Sequence, residues 1–170
     1  PPPPSTARHE KGGGRTAAES LMDYVAYVCD QDAHACSGQK CSAQSMLVVH
    51  ESWRPHLEPR LRTLAGRRRL QDLTVGPLLS VTSETFLGHM QDVLKIPGAR
   101  LLWGGQELEG GEHGVPACYG AVEPTAVEVP LKEILRSRES FALATREIFG
   151  PFQVVTYFGN GELEGVLELV

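Results

Sequence analysis

The sequence predicts an α/β fold in which helices flank a mostly parallel sheet. Short apolar runs typical of buried strands recur along the chain, most clearly at residues 46–49 and 152–158. Between them lie segments whose apolar residues recur at spacings of three and four, which predicts helices. Strands that alternate with helices favour parallel pairing. No internal repeat is visible.

Composition excludes several functional classes. The chain has 170 residues, 41% of them hydrophobic and 22% charged, which is ordinary for one globular domain with a core. A formal net charge of -5 argues against nucleic acid as a partner, and no apolar run approaches the roughly 20 residues of a membrane helix. We interpret the basic run 67–69 as a solvated helix end, with phosphate binding as the alternative.

The first sixteen residues differ in kind from the rest. They contain four prolines and three glycines and almost no apolar side chain, so burial cannot offset the entropy lost on ordering. We therefore predict a disordered tail over residues 1–16 and a single domain over 17–170. The tail is a poor match to a mitochondrial transit peptide, which leaves a cytoplasmic location open.

The first predicted helix begins near Ala17 and ends at Ser37–Gly38, since glycine accepts the left-handed conformation that closes a helix. Cys29 and Cys36 lie seven residues, or two turns, apart on its apolar stripe, so we expect both to pack in the core. The stripe consists of Leu21, Val25, Val28, Cys29, Asp32 and Cys36.

The remaining elements follow in order. Apolar residues from Trp53 to Leu64 predict a second helix that starts late or kinks at Pro55 and Pro59, because interior proline costs about 3 kcal/mol. A third helix follows the Gly76–Pro77 loop, capped by Thr82 or Ser83, with Phe86, Met90, Val93 and Leu94 on one face. Strands are predicted at 100–103, 119–122, 126–129 and 152–158, a short helix at 131–135, and the start of another helix before residue 170.

The cysteines raise the question of a site. Cys29, Cys36, Cys41 and Cys118 are too few to staple a chain of this size, and we expect reduced thiols. The first three have six and four residues between them, unlike the close pairs of zinc sites, so we predict no metal.

Cys41 differs from the others, because it follows the helix end and precedes a strand, where a turn can present its thiol to a cleft. The thiolate is the nucleophile, and a helix C-terminus upstream disfavours it, so activation must come from another group. On spacing alone, a structural role for Cys41 remains open.

The second candidate segment is REIFGPF, residues 146–152. Gly-Pro directly before an apolar strand predicts a rigid turn that carries Glu147 and Phe149. A carboxylate can accept two hydrogen bonds from a ribose diol, and a ring can support a planar base. The alternative is an ordinary turn with a solvated Glu147 and a packed Phe149.

Together, two segments resemble the signatures of the aldehyde dehydrogenase superfamily: GQKCSA at 38–43 and EIFGPF at 147–152. DLTVGP at 72–77 and EPTAV at 123–127 are similar to its intermediate turn motifs. The resemblance runs from about residue 21 to 163. The run VCDQDAHACSGQKCSAQSML is most similar to the plant and algal branch that oxidises 1-pyrroline-5-carboxylate, or glutamate semialdehyde.

The resemblance implies a Rossmann-like catalytic domain and NAD-dependent oxidation of a small-molecule aldehyde. It implies that Cys41 is the catalytic nucleophile, that Glu147 holds the nicotinamide ribose of NAD, and that Phe149 packs near the nicotinamide ring. Ser42 would line the substrate pocket. For the complete enzyme it also implies a role in proline catabolism, homo-oligomers, and the mitochondrial matrix.

In the family, the general-base Glu, the oxyanion Asn and most of the cofactor site precede the nucleophile, and a further segment follows these motifs. We therefore expect a partial catalytic domain, truncated at both ends and nearly inactive alone. Two alternatives remain: a non-catalytic fragment that pairs with a complete homologue, and a cysteine-dependent hydrolase or esterase that uses Cys41 with one of the six histidines.

Overall fold

The computed structural model describes residues 15–108, 113–116 and 118–170. Its centre is a sheet with the strand order β1-β4-β3-β2. β1 pairs parallel with β4, and β4 parallel with β3, whereas β2 is antiparallel to β3. The strands are β1 Met46–His50, β2 Arg100–Trp103, β3 Thr125–Glu128 and β4 Phe152–Phe158. The predicted α/β fold with a mostly parallel sheet is confirmed.

Helices cover both faces of this sheet, because alternate strand residues point to opposite sides. On β4, Val154 belongs to one buried cluster and Val155 to the other. The first face packs against α3 to α6, and the second packs against α1 and α2. The helices are α1 Ala17–His34, α2 Arg54–Ala65, α3 Ser83–Leu94, α4 Leu131–Ile134, α5 Arg138–Ala144 and α6 Leu163–Leu169. No helix among the described residues has the length and apolar character that crossing a membrane requires.

A capping box starts α1. The Thr16 side chain accepts a hydrogen bond from the Glu19 amide at 3.1 Å, and the Glu19 carboxylate accepts one from the Thr16 amide at 2.9 Å. Arg15 forms an ion pair with Asp23 at 2.8 Å. Of the predicted tail over 1–16, residues 15 and 16 are therefore tied to the first helix, and residues 1–14 lie outside the described part of the chain.

The end of α1 differs from the prediction. The helix stops at His34, so the seven-residue register from Cys29 does not reach Cys36, which is exposed. The expectation that Cys36 packs in the core is wrong, whereas Cys29 is half-buried against the core. The predicted stripe is also rotated, since Leu21 is 46% exposed. The buried face consists of Met22, Ala26, Asp30, Ala33 and His34.

Most later elements agree with the sequence. Thr82 caps α3 by accepting from the Thr85 amide at 3.1 Å, and Phe86, Met90 and Val93 are buried. Pro55 lies in the first turn of α2, and the helix continues through Pro59. The predicted strand at 119–122 is reduced to an isolated bridge between Glu107 and Val122, and α5 was not expected.

Candidate active site

Cys41 lies at the tip of a turn between α1 and β1. The Ala43 amide donates to the Lys40 carbonyl at 3.0 Å, so Cys41 and Ser42 are the two central residues. Both are exposed. Among the described residues, nothing accepts a hydrogen bond from the Cys41 amide. The turn thus presents a thiol and a free backbone donor on the same residue.

Three consecutive left-handed residues lead into this turn: φ is 54° at Cys36, 56° at Ser37 and 64° at Gly38. Left-handed backbone costs a non-glycine residue about 1–2 kcal/mol, so the surrounding contacts must hold Cys36 and Ser37 in place. A hydrogen bond from the Gln39 amide to the Cys36 carbonyl, at 3.1 Å, closes this first turn. The chain reverses here instead of continuing as a helix.

The last turn of α1 anchors the segment from one side. The Gln44 amide donates to the Asp32 carbonyl at 2.9 Å, which joins the two ends of the loop. The Lys40 ammonium donates to the Gln31 carbonyl at 3.3 Å and lies 3.7 Å from the Asp32 carboxylate. The positive charge next to Cys41 is therefore already paired with groups of the helix.

The loop at 76–79 anchors the segment from the other side. The Ser37 hydroxyl accepts from the Gly76 amide at 2.7 Å and donates to the Gly76 carbonyl at 3.2 Å. The Gln39 side chain donates to the Pro77 carbonyl at 2.9 Å and accepts from the Leu79 amide at 2.6 Å. The side chains of Ser37 and Gln39 thus bind the backbone of the Gly76–Pro77 loop. The sequence analysis did not identify Ser37 and Gln39 as anchoring residues. Their position on either side of Gly38 was the one signal that could have indicated this role.

The segment that carries Glu147 and Phe149 meets the cysteine segment through Gly150. A Cβ placed on Gly38 would lie 2.2 Å from the Gly150 carbonyl oxygen, so the two backbones are in direct contact. The following strands are parallel neighbours, with Met46 opposite Val154. Both candidate segments therefore precede their strands at the same edge of the sheet.

Glu147 is exposed and Phe149 is half-buried in the turn before β4. The turn is tight, since the Gly150 amide donates to the Ile148 carbonyl at 2.8 Å and the Phe152 amide to the Gly150 carbonyl at 2.7 Å. Within the described part of the chain, the Glu147 carboxylate has no hydrogen bond or ion pair. A carboxylate without a partner can accept hydrogen bonds from a ribose diol, and a half-buried ring can support a planar base.

A buried network lies beneath the cysteine loop, inside the last turns of α1. The Asp30 carboxylate accepts from Arg68 at 2.6 Å and lies 3.1 Å from the Nδ1 atom of His34. Burial alone would raise the pKa of Asp30, but the hydrogen bonds of His34 and Arg68 outweigh it, and the pKa lies below its usual value. Burial lowers the pKa of His34. Arg68 also donates to the Thr74 carbonyl at 3.0 Å, which ties α1 to the loop before Gly76.

No imidazole among the described residues forms a hydrogen bond with Cys41. His34 faces Asp30 and has an unpartnered Nε2 atom, and His50 pairs with Ser52 and Asn160. The described residues also include no cluster of three His, Cys, Asp or Glu side chains that could hold a metal. The geometry therefore gives no support to a cysteine–histidine hydrolase.

Two curated relatives are highly similar in sequence. The Arabidopsis thaliana protein named delta-1-pyrroline-5-carboxylate dehydrogenase 12A1, mitochondrial, is 57% identical over 148 residues, which cover 86% of this chain and 26% of the relative. A protein of Linum usitatissimum named as a probable aldehyde dehydrogenase is 60% identical over 147 residues, with the same coverage of 86% and 26%. The chain thus spans about a quarter of the length of these relatives.

A solved structure has a similar fold. Betaine aldehyde dehydrogenase of Staphylococcus aureus, crystallised in complex with NAD+, superimposes with a TM-score of 0.66 at 22% identity, covering 87% of this chain and 28% of that one. The model of the aldehyde dehydrogenase family matches residues 20–168. With the Cys41 turn and the Glu147 turn joined at one sheet edge, this chain belongs to the aldehyde dehydrogenase family.

Proposed function

We propose that this chain is part of an NAD-dependent aldehyde dehydrogenase that oxidises glutamate semialdehyde, in equilibrium with 1-pyrroline-5-carboxylate, to glutamate. The observation that carries the proposal is the contact of Gly38 with Gly150, which joins the Cys41 turn to the Glu147–Phe149 turn. The substrate follows from the identity of 57% to the Arabidopsis enzyme named for it. That name also supports a mitochondrial location, and the substrate in it supports a role in proline catabolism.

Cys41 is the nucleophile in this proposal. Its sulfur attacks the aldehyde carbon to give a thiohemiacetal, and after oxidation water hydrolyses the thioester to release the acid. The exposed position of Cys41 supports this role, because an incoming aldehyde can reach the thiol. The free Cys41 amide would donate to the oxyanion as charge develops on the substrate oxygen. Ser42, next to it at the turn tip, would line the substrate pocket.

Glu147 and Phe149 would hold the nicotinamide end of the cofactor. NAD, when bound, accepts a hydride from the substrate carbon. The unpaired Glu147 carboxylate can accept hydrogen bonds from both ribose hydroxyls, and the half-buried Phe149 ring offers an apolar surface to a planar base. The backbone contact between Gly38 and Gly150 supports this shared site, because it joins the segments that carry Cys41 and these two side chains.

We also propose that the chain has little activity alone. Among the described residues, no carboxylate or imidazole forms a hydrogen bond with the Cys41 thiol, so no group is in position to take its proton. Purified chain mixed with NAD and the semialdehyde should therefore form almost no NADH. Turnover near that of a complete family enzyme, abolished by Cys41→Ala, would refute this part.

A chimaera tests the function directly. Residues 20–168 would replace the matching segment of the Arabidopsis relative, and NADH formation with glutamate semialdehyde would be followed. We expect an active chimaera in which Cys41→Ala lowers turnover roughly a thousandfold or more, while Cys118→Ala leaves it unchanged. Glu147→Gln should raise the KM for NAD about tenfold, since one charge-assisted hydrogen bond is weakened. An inactive but folded chimaera, or an active Cys41→Ala variant, would contradict the proposal.

A second candidate is a non-catalytic fragment that docks on a complete homologue. It is supported by exposed apolar side chains on two helices: Tyr24 and Tyr27 of α1 are 65% and 54% exposed, and Leu163 and Leu167 of α6 are 59% and 71% exposed. Such surfaces often bind other proteins. Size-exclusion chromatography of the chain with the Arabidopsis enzyme distinguishes the two, since only this candidate expects a stable mixed complex.

A further inference from the structure

Cys36 is a second exposed thiol in the loop that carries Cys41, and the proposed reaction does not use it. We propose that Cys36 and Cys41 form a modification site, in which a hydroperoxide oxidises Cys41 and Cys36 then closes a reversible disulfide. The inference rests on the proposed function only in taking Cys41 as the reactive thiol. It is measured by peptide mass and is therefore independent of any activity.

The four cysteines differ in access. Cys36, Cys41 and Cys118 are exposed, and Cys29 is half-buried. Burial, and then the Asp32 carboxylate, raise the pKa of Cys29, so little thiolate is available there. Cys118 lies in another part of the chain, beside a turn in which the Tyr119 amide donates to the Pro116 carbonyl at 3.0 Å. Cys36 is therefore the exposed thiol that shares a loop with Cys41.

Cys36 and Cys41 are separated by four residues, of which Ser37 and Gly38 have left-handed backbone. The hydrogen bond from the Gln39 amide to the Cys36 carbonyl, at 3.1 Å, holds the α-carbons of Cys36 and Gln39 within about 7 Å. Cys41 follows two residues later. A disulfide needs α-carbons about 4.4–6.8 Å apart, so disulfide formation requires the loop to bring Cys36 and Cys41 to that separation.

Further hydrogen bonds close the loop that carries both cysteines. The bond from the Gln44 amide to the Asp32 carbonyl, at 2.9 Å, closes residues 32–44 into one ring. The turn at Lys40–Ala43 then folds the chain after Cys41 back towards α1, the helix from which Cys36 departs. Both cysteines are exposed, so a peroxide can reach either thiol.

The chemistry balances in two steps. The Cys41 thiolate attacks one oxygen of hydrogen peroxide, the O–O bond breaks, and the sulfenic acid and hydroxide form. The Cys36 thiol then attacks the sulfur of the sulfenic acid, the S–S bond forms, and water leaves. Overall, two thiols lose two electrons and two protons, and one peroxide becomes two waters. A thiol reductant reverses the modification and restores the nucleophile.

Trypsin makes the product easy to identify, because it cuts between Lys40 and Cys41. The disulfide links peptide 16–40 to peptide 41–60, since the Arg54–Pro55 bond resists cleavage. The reduced 170-residue chain would be treated with hydrogen peroxide, blocked with N-ethylmaleimide, digested and analysed by mass spectrometry. Non-reducing electrophoresis selects the monomer, so that links between chains are excluded.

We expect the linked pair in the wild type, in Cys29→Ser and in Cys118→Ser, and its loss on addition of reductant. In Cys36→Ser the pair should vanish, and Cys41 should progress to the sulfinic acid, because no thiol traps the sulfenic acid. A wild-type chain in which Cys41 reaches the sulfinic acid as fast as in Cys36→Ser would overturn the inference. So would a linked pair that depends on Cys29 instead of Cys36.

Discussion

The α-carbon of Gly38 lies so close to the carbonyl of Gly150 that a Cβ at residue 38 would be 2.2 Å from its oxygen and 2.7 Å from its carbon. The two glycines belong to separate motifs more than a hundred residues apart in sequence. Their contact fixes the distance between the backbone before Cys41 and the backbone after Glu147. The relative position of the two candidate functional segments therefore depends on the absence of one side chain.

Gly38→Ala should be strongly destabilising. Alanine meets the left-handed penalty at φ of 64°, about 1–2 kcal/mol, and its methyl group also overlaps backbone that cannot rotate away. We expect a loss of free energy of unfolding well above 2 kcal/mol, measured by urea denaturation. Gly161→Ala is the matched control, because φ is 97° there and nothing lies within 4 Å of the new Cβ. Equal losses in the two variants would refute the packing argument.

Ser37→Ala should cost about 1–3 kcal/mol, because the Gly76 amide and carbonyl both lose their partner in a part-buried site. The released loop should also alkylate faster at Cys41 with iodoacetamide, since Ser37 holds the segment against residues 76–79. Ser42→Ala is the control: this hydroxyl is exposed, and we expect a change within about 0.5 kcal/mol. Two variants of equal stability would contradict the anchoring role of Ser37.

Much of the fold could be predicted from patterns that act locally. Thr82 at the start of α3 and the apolar run of β4 are examples, because caps and strand burial depend on nearby residues. Cys36 was placed wrongly because a seven-residue spacing says nothing about where a helix stops. The helix ends early since the chain must reverse through three left-handed residues to meet Gly76 and Gly150, and such distant contacts leave no periodic signal.

The candidate site was identified from the resemblance of two segments to family motifs, and residue spacing alone did not identify it. The turn position of Cys41 followed from its place between a helix and a strand, and the structure agrees. The partners of Ser37 and Gln39 lie about forty residues away and are backbone groups. Every residue has such groups, so the sequence does not indicate which ones are used. The roles of Cys41, Ser42, Glu147 and Phe149 remain predictions.

Acidification should destabilise the chain between about pH 7 and 5. Burial lowers the pKa of His34, so the unfolded state binds this proton more tightly, and stability falls as pH drops below the usual histidine value of about 6.5. Protonation would also leave a buried Nε2–H without an acceptor among the described residues. His34→Gln should flatten the dependence of the free energy of unfolding on pH in this window.

Asp72→Asn is the control for the acid dependence. Hydrogen bonds from Thr74 lower the pKa of Asp72, so this carboxylate titrates below the window and its removal should leave the slope unchanged. Urea denaturation at pH 7, 6 and 5 measures all three proteins. An unaltered slope in His34→Gln would show that His34 does not take up the proton responsible.

Asp30→Asn should be far more damaging than Asp32→Asn, although the two aspartates lie two residues apart on the same helix. Asp30 and Arg68 are buried with side-chain exposures of 3% and 8%, and removal of one partner leaves an uncompensated charge at a cost of about 3–5 kcal/mol. The Asp32 side chain is 50% exposed and 3.7 Å from Lys40, so its loss should cost less than about 1 kcal/mol.

If Asp30→Asn fails to fold, the double variant with Arg68→Met decides the matter, because removal of both charges should restore a cooperative urea transition. A double variant no more stable than Asp30→Asn would mean that the damage comes from lost hydrogen bonds and not from the unpaired guanidinium.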